Sequence, residues 1–228
     1  MPQPDLVIFD FDGTLVDSEF VAARIEAELI TKAGYEITGQ ELSELYAGLT
    51  FKDILLRIEE VSSIPLKASL IDEAEDLVDK RLRAEVRAIE GARNAVASVT
   101  AKRAICSNSR ADRVRFMAEK WGLGPLFGDH IYSSLDVPGG KPKPAPDVFL
   151  FAAQKLDADP AKTFVVEDSV HGIAGAKAAG MRVIGFTGAS HSYPGHADVL
   201  TEAGAETVIR RWADFPGVLA ALTEWSDA

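Results

Sequence analysis

The chain has 228 residues, of which 47% are hydrophobic and 26% charged, a composition typical of a globular protein with a sizeable core. Its formal net charge of −11 disfavours binding to nucleic acid or an anionic membrane, and an anionic substrate would need a local cation cluster or a bound metal. A single cysteine excludes an intramolecular disulfide, and we find neither a signal peptide nor a membrane helix, so we expect a soluble cytoplasmic protein.

A strand that ends in two acids opens the chain. The apolar run Leu6–Phe9 shows no alternation, which predicts a strand covered on both faces. Asp10 and Asp12 follow it directly, and Gly13 lets the backbone turn sharply after them. Open α/β sheets bind ligands beyond the carboxyl ends of such strands, and buried carboxylates are costly unless they are compensated. The two acids therefore indicate a bound metal, an acid/base pair, or both.

A helical segment comes next. Apolar residues recur at helical spacing from Ser18 to about Val86, and glycines together with Pro65 divide the stretch into about four helices. The segment is far longer than an ordinary loop, so we expect residues 17–87 to form a separate helical cap standing over the strand ends. Thr50 and Lys52 lie on its specificity loop and are candidate substrate-binding residues.

Strands alternate with helices after Gly91. This pattern predicts a Rossmann-like α/β core, with a parallel sheet and helices on both faces, built from residues 1–16 and 88–228. Its later strands are predicted at 103–106, 131–133, 163–166, 182–186 and 208–209. Its helices are predicted at 111–121, 147–156, 170–179 and 212–225.

Polar residues lie in two connecting segments of this core, one after a strand and one before a helix. Ser107 and Asn108 come after the second sheet strand, where a hydroxyl and free N–H groups before a helix form an anion-binding corner. The alternative is that Ser107 or Ser109 simply caps the next helix. Lys141 and Lys143 lie in a loop stiffened by three prolines, which limits where a lysine points.

The motifs resemble, in order and over nearly the whole chain, those of the haloacid dehalogenase-like hydrolases in their phosphatase form. The segment 10–15, Asp-x-Asp-Gly-Thr-Leu, is similar to the first motif of that family. The resemblance implies that Asp10 attacks phosphorus and that Asp12 is the general acid/base. It also implies a helical cap between the first and second motifs.

The resemblance gives roles to the residues of the second and third motifs. The hydroxyl of Ser107 and the N–H of Asn108 would hold the phosphoryl oxygens. Lys143 would neutralise the phosphoryl group, and its spacing to Asp147 favours it over Lys141.

Glu167 and Asp168 resemble the acids of the fourth motif, which bind magnesium. Asp168 would be a direct ligand, and Glu167 either a direct or a water-mediated one, while Ser169 would cap the following helix and orient both acids. Carboxylates and a backbone carbonyl favour a hard cation. We therefore expect Mg²⁺ held by Asp10, the carbonyl of Asp12, Asp168 and waters, with Mn²⁺ as a substitute.

The predicted activity is hydrolysis of a small phosphate monoester, a sugar or sugar-acid phosphate, through an aspartyl-phosphate intermediate. Asp12 argues against the dehalogenases, which lack a second Asp. The β-phosphoglucomutases share all four motifs, but they typically carry a His where this chain has Ala22 and an Arg where it has Phe51, although Lys52 could replace that cation. A phosphate-sensing protein without turnover is a further alternative. We expect a phosphorylated metabolite as partner, and a monomer or weak homo-oligomer.

Four further residues receive no role in this site. Cys106 is predicted to be a buried strand residue and His171 a residue on a helix surface. His191 and His196 flank a turn-rich loop after the last main strand, and zinc binding there is not expected with so few soft ligands.

Overall fold

A six-stranded sheet organises most of the protein in this computed structural model, which describes residues 3–46 and 51–224. Its strands are β1 (Leu6–Phe9), β2 (Lys102–Ser107), β3 (Ile131–Ser133), β4 (Thr163–Glu167), β5 (Arg182–Phe186) and β6 (Thr207–Ile209). All neighbouring strands are parallel, in the order β3-β2-β1-β4-β5-β6. The predicted parallel sheet is confirmed, and each strand lies within one residue of its predicted bounds.

The strand order creates a crevice at the centre of the sheet. From β1 the chain builds outwards to β2 and β3 on one side, and then to β4, β5 and β6 on the other. Ligands of open α/β sheets bind at such a switch point, outside the carboxyl ends of the strands. The register pairs Phe9 with Ile105 of β2 and with Val166 of β4, so the ends of these three strands lie at one edge.

β1 is buried on both faces, and none of its four side chains is exposed to solvent. Leu6 and Ile8 belong to an apolar cluster that includes residues of β2, β4 and β5. Successive side chains of a strand point to opposite faces. Phe9 accordingly lies outside this cluster and packs on aromatic rings, with its ring centroid 5.9 Å from that of Trp212 and 5.7 Å from that of Phe215. Burial on both faces explains the apolar run without alternation.

Four helices follow β1 in the described chain: α1 (Glu19–Lys32), α2 (Gly39–Leu45), α3 (Phe51–Ser62) and α4 (Ser69–Glu85). They belong to a compact unit, Asp17–Arg87, while Met1–Val16 and Ala88–Ala228 form the other unit. Inside the helical unit, α1 contacts both α2 and α4. One apolar cluster of this unit is supplied by α1, α2 and α3, through Ala23, Ala27, Ile30, Leu42, Ile54, Leu55 and Ile58.

The remaining helices are α5 (Ala92–Ser98), α6 (Ala111–Lys120), α7 (Gly124–Phe127), α8 (Asp147–Lys155), α9 (Val170–Ala178), α10 (His196–Glu202) and α11 (Phe215–Glu224). Three of them, α5, α7 and α10, were not predicted, because seven residues or fewer give little periodicity. The helix predicted over 212–225 is present but begins later, since a 3₁₀ turn at Trp212–Asp214 precedes α11. Pro216 in the first turn of α11 has no N–H with which to continue a helix from Trp212.

Within residues 3–46 and 51–224, no helix combines the length and the apolar character needed to cross a bilayer.

Candidate active site

The segment after β1 turns sharply at the carboxyl edge of the sheet. Gly13 has a φ of 75°, and its N–H donates to the carbonyl oxygen of Val16 at 2.8 Å. A Cβ atom at Gly13 would lie 2.1 Å from Oδ2 of Asp168. Glycine is therefore required here both for the turn and for the approach of Asp168. Asp10 and Asp12 precede this turn, and Asp10 is buried.

Lys143 lies buried between two carboxylates. Its Nζ donates to Oδ1 of Asp10 at 2.5 Å, to Oε1 of Glu167 at 2.7 Å and to the carbonyl oxygen of Cys106 at 2.8 Å. Of the two candidate lysines, Lys143 reaches the strand ends, whereas Lys141 is exposed to solvent. Burial by itself lowers the pKa of Lys143, but Asp10 and Glu167 outweigh burial and raise it above its ordinary value. The lysine therefore stays cationic.

Ser107 and Asn108 lie at the end of β2 and contact other parts of the site. The hydroxyl of Ser107 donates to Oδ2 of Asp12 at 3.2 Å. The side chain of Asn108 binds the main chain of Lys143: Oδ1 accepts from its N–H at 3.0 Å, and Nδ2 donates to its carbonyl at 3.3 Å. The alternative of a serine cap is wrong, because Arg110 occupies the N-cap of α6 and makes no side-chain cap bond.

Three buried carboxylates meet beside Lys143. Oxygens of Asp10, Glu167 and Asp168 all lie within 4.8 Å of one another. Burial raises the pKa of Asp10 well above its ordinary value; Lys143 opposes that shift, whereas Glu167 and Asp168 add to it. Lys143 pairs with Asp10 and Glu167, so the three clustered acids still favour a further cation beside Asp168. Its oxygen donors and its charge fit a hard divalent cation such as Mg²⁺.

Both carboxylate oxygens of Glu167 are hydrogen-bonded. Oε1 accepts from Lys143, and Oε2 accepts from the N–H of Ser169 at 3.0 Å and from its hydroxyl at 2.9 Å. The same hydroxyl accepts from the N–H of Gly172 at 3.0 Å and so caps α9. The prediction that Ser169 caps the helix is confirmed, and of the two acids that it was expected to orient, its bonds reach Glu167.

Asp168 is held by residues that sequence reasoning did not connect with it. Thr14 donates from Oγ1 to Oδ1 of Asp168 at 2.9 Å. Nε2 of His191 lies 3.0 Å from Oδ2, and Nε2 of His196 lies 2.9 Å from the main-chain oxygen. The assignment of the two histidines to a loop without a role in the site is therefore corrected. Both histidines follow β5, and the contact arises because β5 lies beside β4 in the sheet, a neighbour relation that the structure supplies.

Two candidate residues belong to the helical segment. Thr50 lies outside the described residues. Lys52 is the second residue of α3 and is exposed to solvent. Their assignment to substrate binding therefore stays a prediction.

Cys106 and His171 occupy the positions expected for them. Cys106 is buried in β2, and burial raises the pKa of its thiol, so it is not a thiolate at neutral pH. His171 is the second residue of α9 and is exposed.

Comparison with known proteins identifies the family of this chain. A family model described as haloacid dehalogenase-like hydrolase matches residues 4–180. The chain is 28% identical over 197 residues to 6-phosphogluconate phosphatase of Escherichia coli K12, covering 85% of this chain and 87% of that one. It is also 28% identical to a phosphorylated carbohydrates phosphatase of Thermotoga maritima, covering 90% of this chain and 94% of the relative.

Two crystal structures are similar over almost their whole length. A conserved haloacid dehalogenase-like protein of unknown function from Agrobacterium tumefaciens C58 has 55% identity and a TM-score of 0.92, covering 96% of this chain and 98% of that one. A hydrolase of the same family from Deinococcus radiodurans R1, with bound phosphate and sodium, has 32% identity and a TM-score of 0.83, covering 97% of both chains.

Proposed function

Since the chain belongs to the haloacid dehalogenase-like hydrolases and is a phosphatase of that family, we propose that it hydrolyses a small sugar or sugar-acid phosphate with Mg²⁺, through an aspartyl-phosphate. The observation that carries this proposal is the position of Asp10. Its carboxylate lies buried at the switch point of the sheet, with Lys143 at 2.5 Å and two further carboxylates beside it.

Asp10 is the nucleophile in this mechanism. An oxygen of its carboxylate forms a bond to phosphorus, and the bond from phosphorus to the leaving oxygen breaks. Lys143 favours the ionised form of Asp10, although burial opposes that form. The same ammonium group then offsets charge on the phosphoryl oxygens, where most of the catalysis of phosphoryl transfer arises.

Asp12 is the general acid and base. It protonates the leaving oxygen in the first step. In the second step it takes a proton from the attacking water, whose oxygen bonds to phosphorus while the bond from phosphorus to the Asp10 oxygen breaks, which releases phosphate and restores the carboxylate. A second carboxylate is needed because the nucleophile is ionised while the proton donor is protonated. The hydrogen bond from Ser107 to Oδ2 of Asp12 orients this carboxyl group.

The carboxylate cluster and the segment after β1 supply the metal ligands. Asp10, Asp168 and the carbonyl of Asp12 would hold Mg²⁺, or Mn²⁺ in its place, and the bound ion supplies charge neutralisation of the phosphoryl group. Oε2 of Glu167 already accepts two hydrogen bonds from Ser169, and Oε1 accepts one from the ammonium group of Lys143. Each carboxylate oxygen of Asp168 accepts one bond and keeps a second acceptor site, which supports Asp168 as the direct ligand and a water-mediated position for Glu167.

Hydrolysis is favoured over phosphosugar mutase chemistry by the residues of the helical unit. Ala22 lies in α1, and its methyl group transfers no proton. Phe51, the first residue of α3, offers no cation to a second phosphate. The sugar or sugar-acid class is supported by the names of the two bacterial phosphatases to which the chain is similar.

The test is phosphate release from a panel of small esters, with Mg²⁺ and with a chelator. The panel includes sugar phosphates, 6-phosphogluconate and β-glucose 1-phosphate, and formation of glucose 6-phosphate is followed in parallel. We expect Mg²⁺-dependent release from a few esters, abolished in Asp10→Asn and retained in Asp129→Asn, an exposed acid before β3. Isomerisation without release would instead indicate a mutase, and no reaction of any ester would indicate a sensor.

A further inference from the structure

The loop after β5, residues 187–195, and the first residue of α10 hold Asp168 from one side. Nε2 of His191 lies 3.0 Å from Oδ2, and Nε2 of His196 lies 2.9 Å from the main-chain oxygen. The remaining oxygen, Oδ1, accepts from the hydroxyl of Thr14 at 2.9 Å. Each of the three oxygen atoms of Asp168 thus has a hydrogen-bond partner.

The direction of these bonds follows from the acceptors. A carbonyl oxygen only accepts, so Nε2 of His196 carries a proton. Nδ1 of the neutral ring is then an acceptor, and it lies 3.2 Å from the hydroxyl of Ser192. The carboxylate of Asp168 likewise accepts, so Nε2 of His191 donates to it.

Aromatic packing fixes the two rings. His196 is 6% exposed, and its ring stacks on that of Tyr193 with centroids 4.8 Å apart and planes 16° apart. The ring of His191 meets that of His196 edge to face at 5.7 Å. On its other side His191 adjoins the turn after β1, because a Cβ atom at Gly13 would lie 2.8 Å from its Cε1. Neither imidazole therefore turns without displacing its neighbours.

We propose that His191 and His196 are positioning residues that preorganise Asp168 for the metal, an inference that rests on the magnesium-dependent function proposed above. Each carboxylate oxygen has two acceptor sites, so an oxygen bonded to His191 or Thr14 retains one for a cation. His191 fixes the plane of the carboxylate, and His196 fixes the peptide from which it extends. Outer partners of this kind typically contribute about 10- to 100-fold to metal affinity.

The test is Mg²⁺ binding to the full chain without substrate, measured by isothermal titration calorimetry. In His191→Ala we expect the Kd for Mg²⁺ to rise about 10- to 100-fold. In His191→Gln and His196→Gln we expect a Kd within a few-fold of the original, because the amide nitrogen of Gln takes the place of Nε2 as donor. His130→Ala, which removes a ring bonded to Tyr132 in β3, should leave the Kd unchanged.

Kinetics on an active ester give a second readout. The Mg²⁺ concentration for half-maximal rate should shift in His191→Ala by the same factor as the Kd. The KM for the ester should not change, and kcat should recover at saturating Mg²⁺. A single cooperative transition in thermal unfolding without metal should show that the variant is folded.

Three results would overturn the inference. One is a folded His191→Ala that binds Mg²⁺ as tightly as the original chain while phosphatase activity persists, which leaves the proposed function intact. Another is that the glutamine variants bind Mg²⁺ as weakly as the alanine variant does, because hydrogen-bond donation to Asp168 would then not be the cause of tight Mg²⁺ binding. The third is an original chain that neither binds Mg²⁺ nor hydrolyses any ester, which overturns the proposed function as well.

Discussion

Asn108 sets the path of the main chain at Lys143 through two hydrogen bonds, of 3.0 Å and 3.3 Å. Asn108→Ala removes both bonds and keeps the N–H of residue 108. We expect kcat/KM for an active ester to fall about 10- to 100-fold, because displacing a reacting group by about 1 Å costs on the order of 10²-fold. Asn94→Ala, an exposed position on α5, is the matched control. Equal values of kcat/KM in the two variants would show that the two hydrogen bonds from Asn108 to Lys143 do not contribute to turnover.

Glu26 in α1 carries a pH dependence of stability. Burial raises its pKa from 4.5 to about 7. The folded-state pKa therefore exceeds the unfolded one, so the unfolded chain ionises first, and stability falls as the pH rises from 4.5 to about 7. We expect Glu26→Gln to raise the free energy of unfolding at pH 8 by on the order of 1–3 kcal/mol, and by much less at pH 5.

Urea unfolding at the two pH values measures this effect. Glu28→Gln, an exposed position on the same helix, should change stability little at either pH. A gain in Glu26→Gln that is the same at pH 5 and at pH 8 would refute burial of the charge as its cause.

Side-chain contacts across long sequence separations are where prediction from the sequence failed. Asp10 and Glu167 could be placed at the sheet edge because each ends or follows an apolar strand run. The bond between Thr14 and Asp168 joins residues 154 positions apart, and no local pattern encodes it. The contacts of His191 required knowledge that β5 lies beside β4, which the order of strands along the chain does not reveal.

At the scale of elements, α9 lies close to the site because its first turn contains Gly172. A Cβ atom there would lie 1.8 Å from Oε1 of Glu167. Gly→Ala inside a helix normally stabilises a protein by about 0.5–1 kcal/mol. We expect Gly172→Ala to lower the stability of the protein instead. It should also lower kcat, because Glu167 must move away from Lys143.

Gly217 in α11 is the matched control for that substitution, since a Cβ atom there meets nothing within 4 Å. Gly217→Ala should leave activity unchanged and raise stability by up to about 1 kcal/mol. Thermal unfolding and steady-state rates of both variants check the pair. A stabilised and fully active Gly172→Ala would contradict the close approach of α9 to Glu167.

Strands were easier to predict than helices in this chain. Unbroken apolar runs such as 163–166 define buried strands closely, and β4 exceeds that prediction by one residue. Short helices such as α10, with seven residues, complete fewer than two turns and so show little apolar repeat. The last helix shows a further limit, because Pro216 in the first turn of α11 prevents the helix from extending back to Trp212, as the apolar spacing alone would predict.

At the scale of the whole molecule, the helical segment is inserted at a point where its ends meet. The N–H of Asp17 donates to the carbonyl oxygen of Arg87 at 2.9 Å, and Val16 bridges to Ala88. A long insertion whose ends are adjacent leaves the strands of the sheet free to pair. The helical segment inserted between β1 and β2 therefore does not disturb their parallel register.

Crowding of three buried carboxylates makes the stability of the whole chain depend on metal. Oxygens of Asp10, Glu167 and Asp168 lie within 4.8 Å of one another, and Lys143 pairs with Asp10 and Glu167. We expect Mg²⁺ at 100 times its Kd to stabilise the fold by about 2.7 kcal/mol, and a chelator to reverse the gain. In Asp168→Asn, most of the rise in Tm on adding Mg²⁺ should be lost. If Mg²⁺ raised the Tm of that variant as much as that of the original chain, the stabilising ion would bind at another site.

The central claim is that Asp10 carries the phosphoryl group, and trapping it tests this most directly. Asp12→Asn removes the base for the second step, while p-nitrophenyl phosphate needs little acid assistance in the first. After incubation of this variant with Mg²⁺ and that ester, peptide mass spectrometry should find phosphate on Asp10. Release of p-nitrophenol with no covalent phosphate, or with phosphate on another residue, would contradict the mechanism.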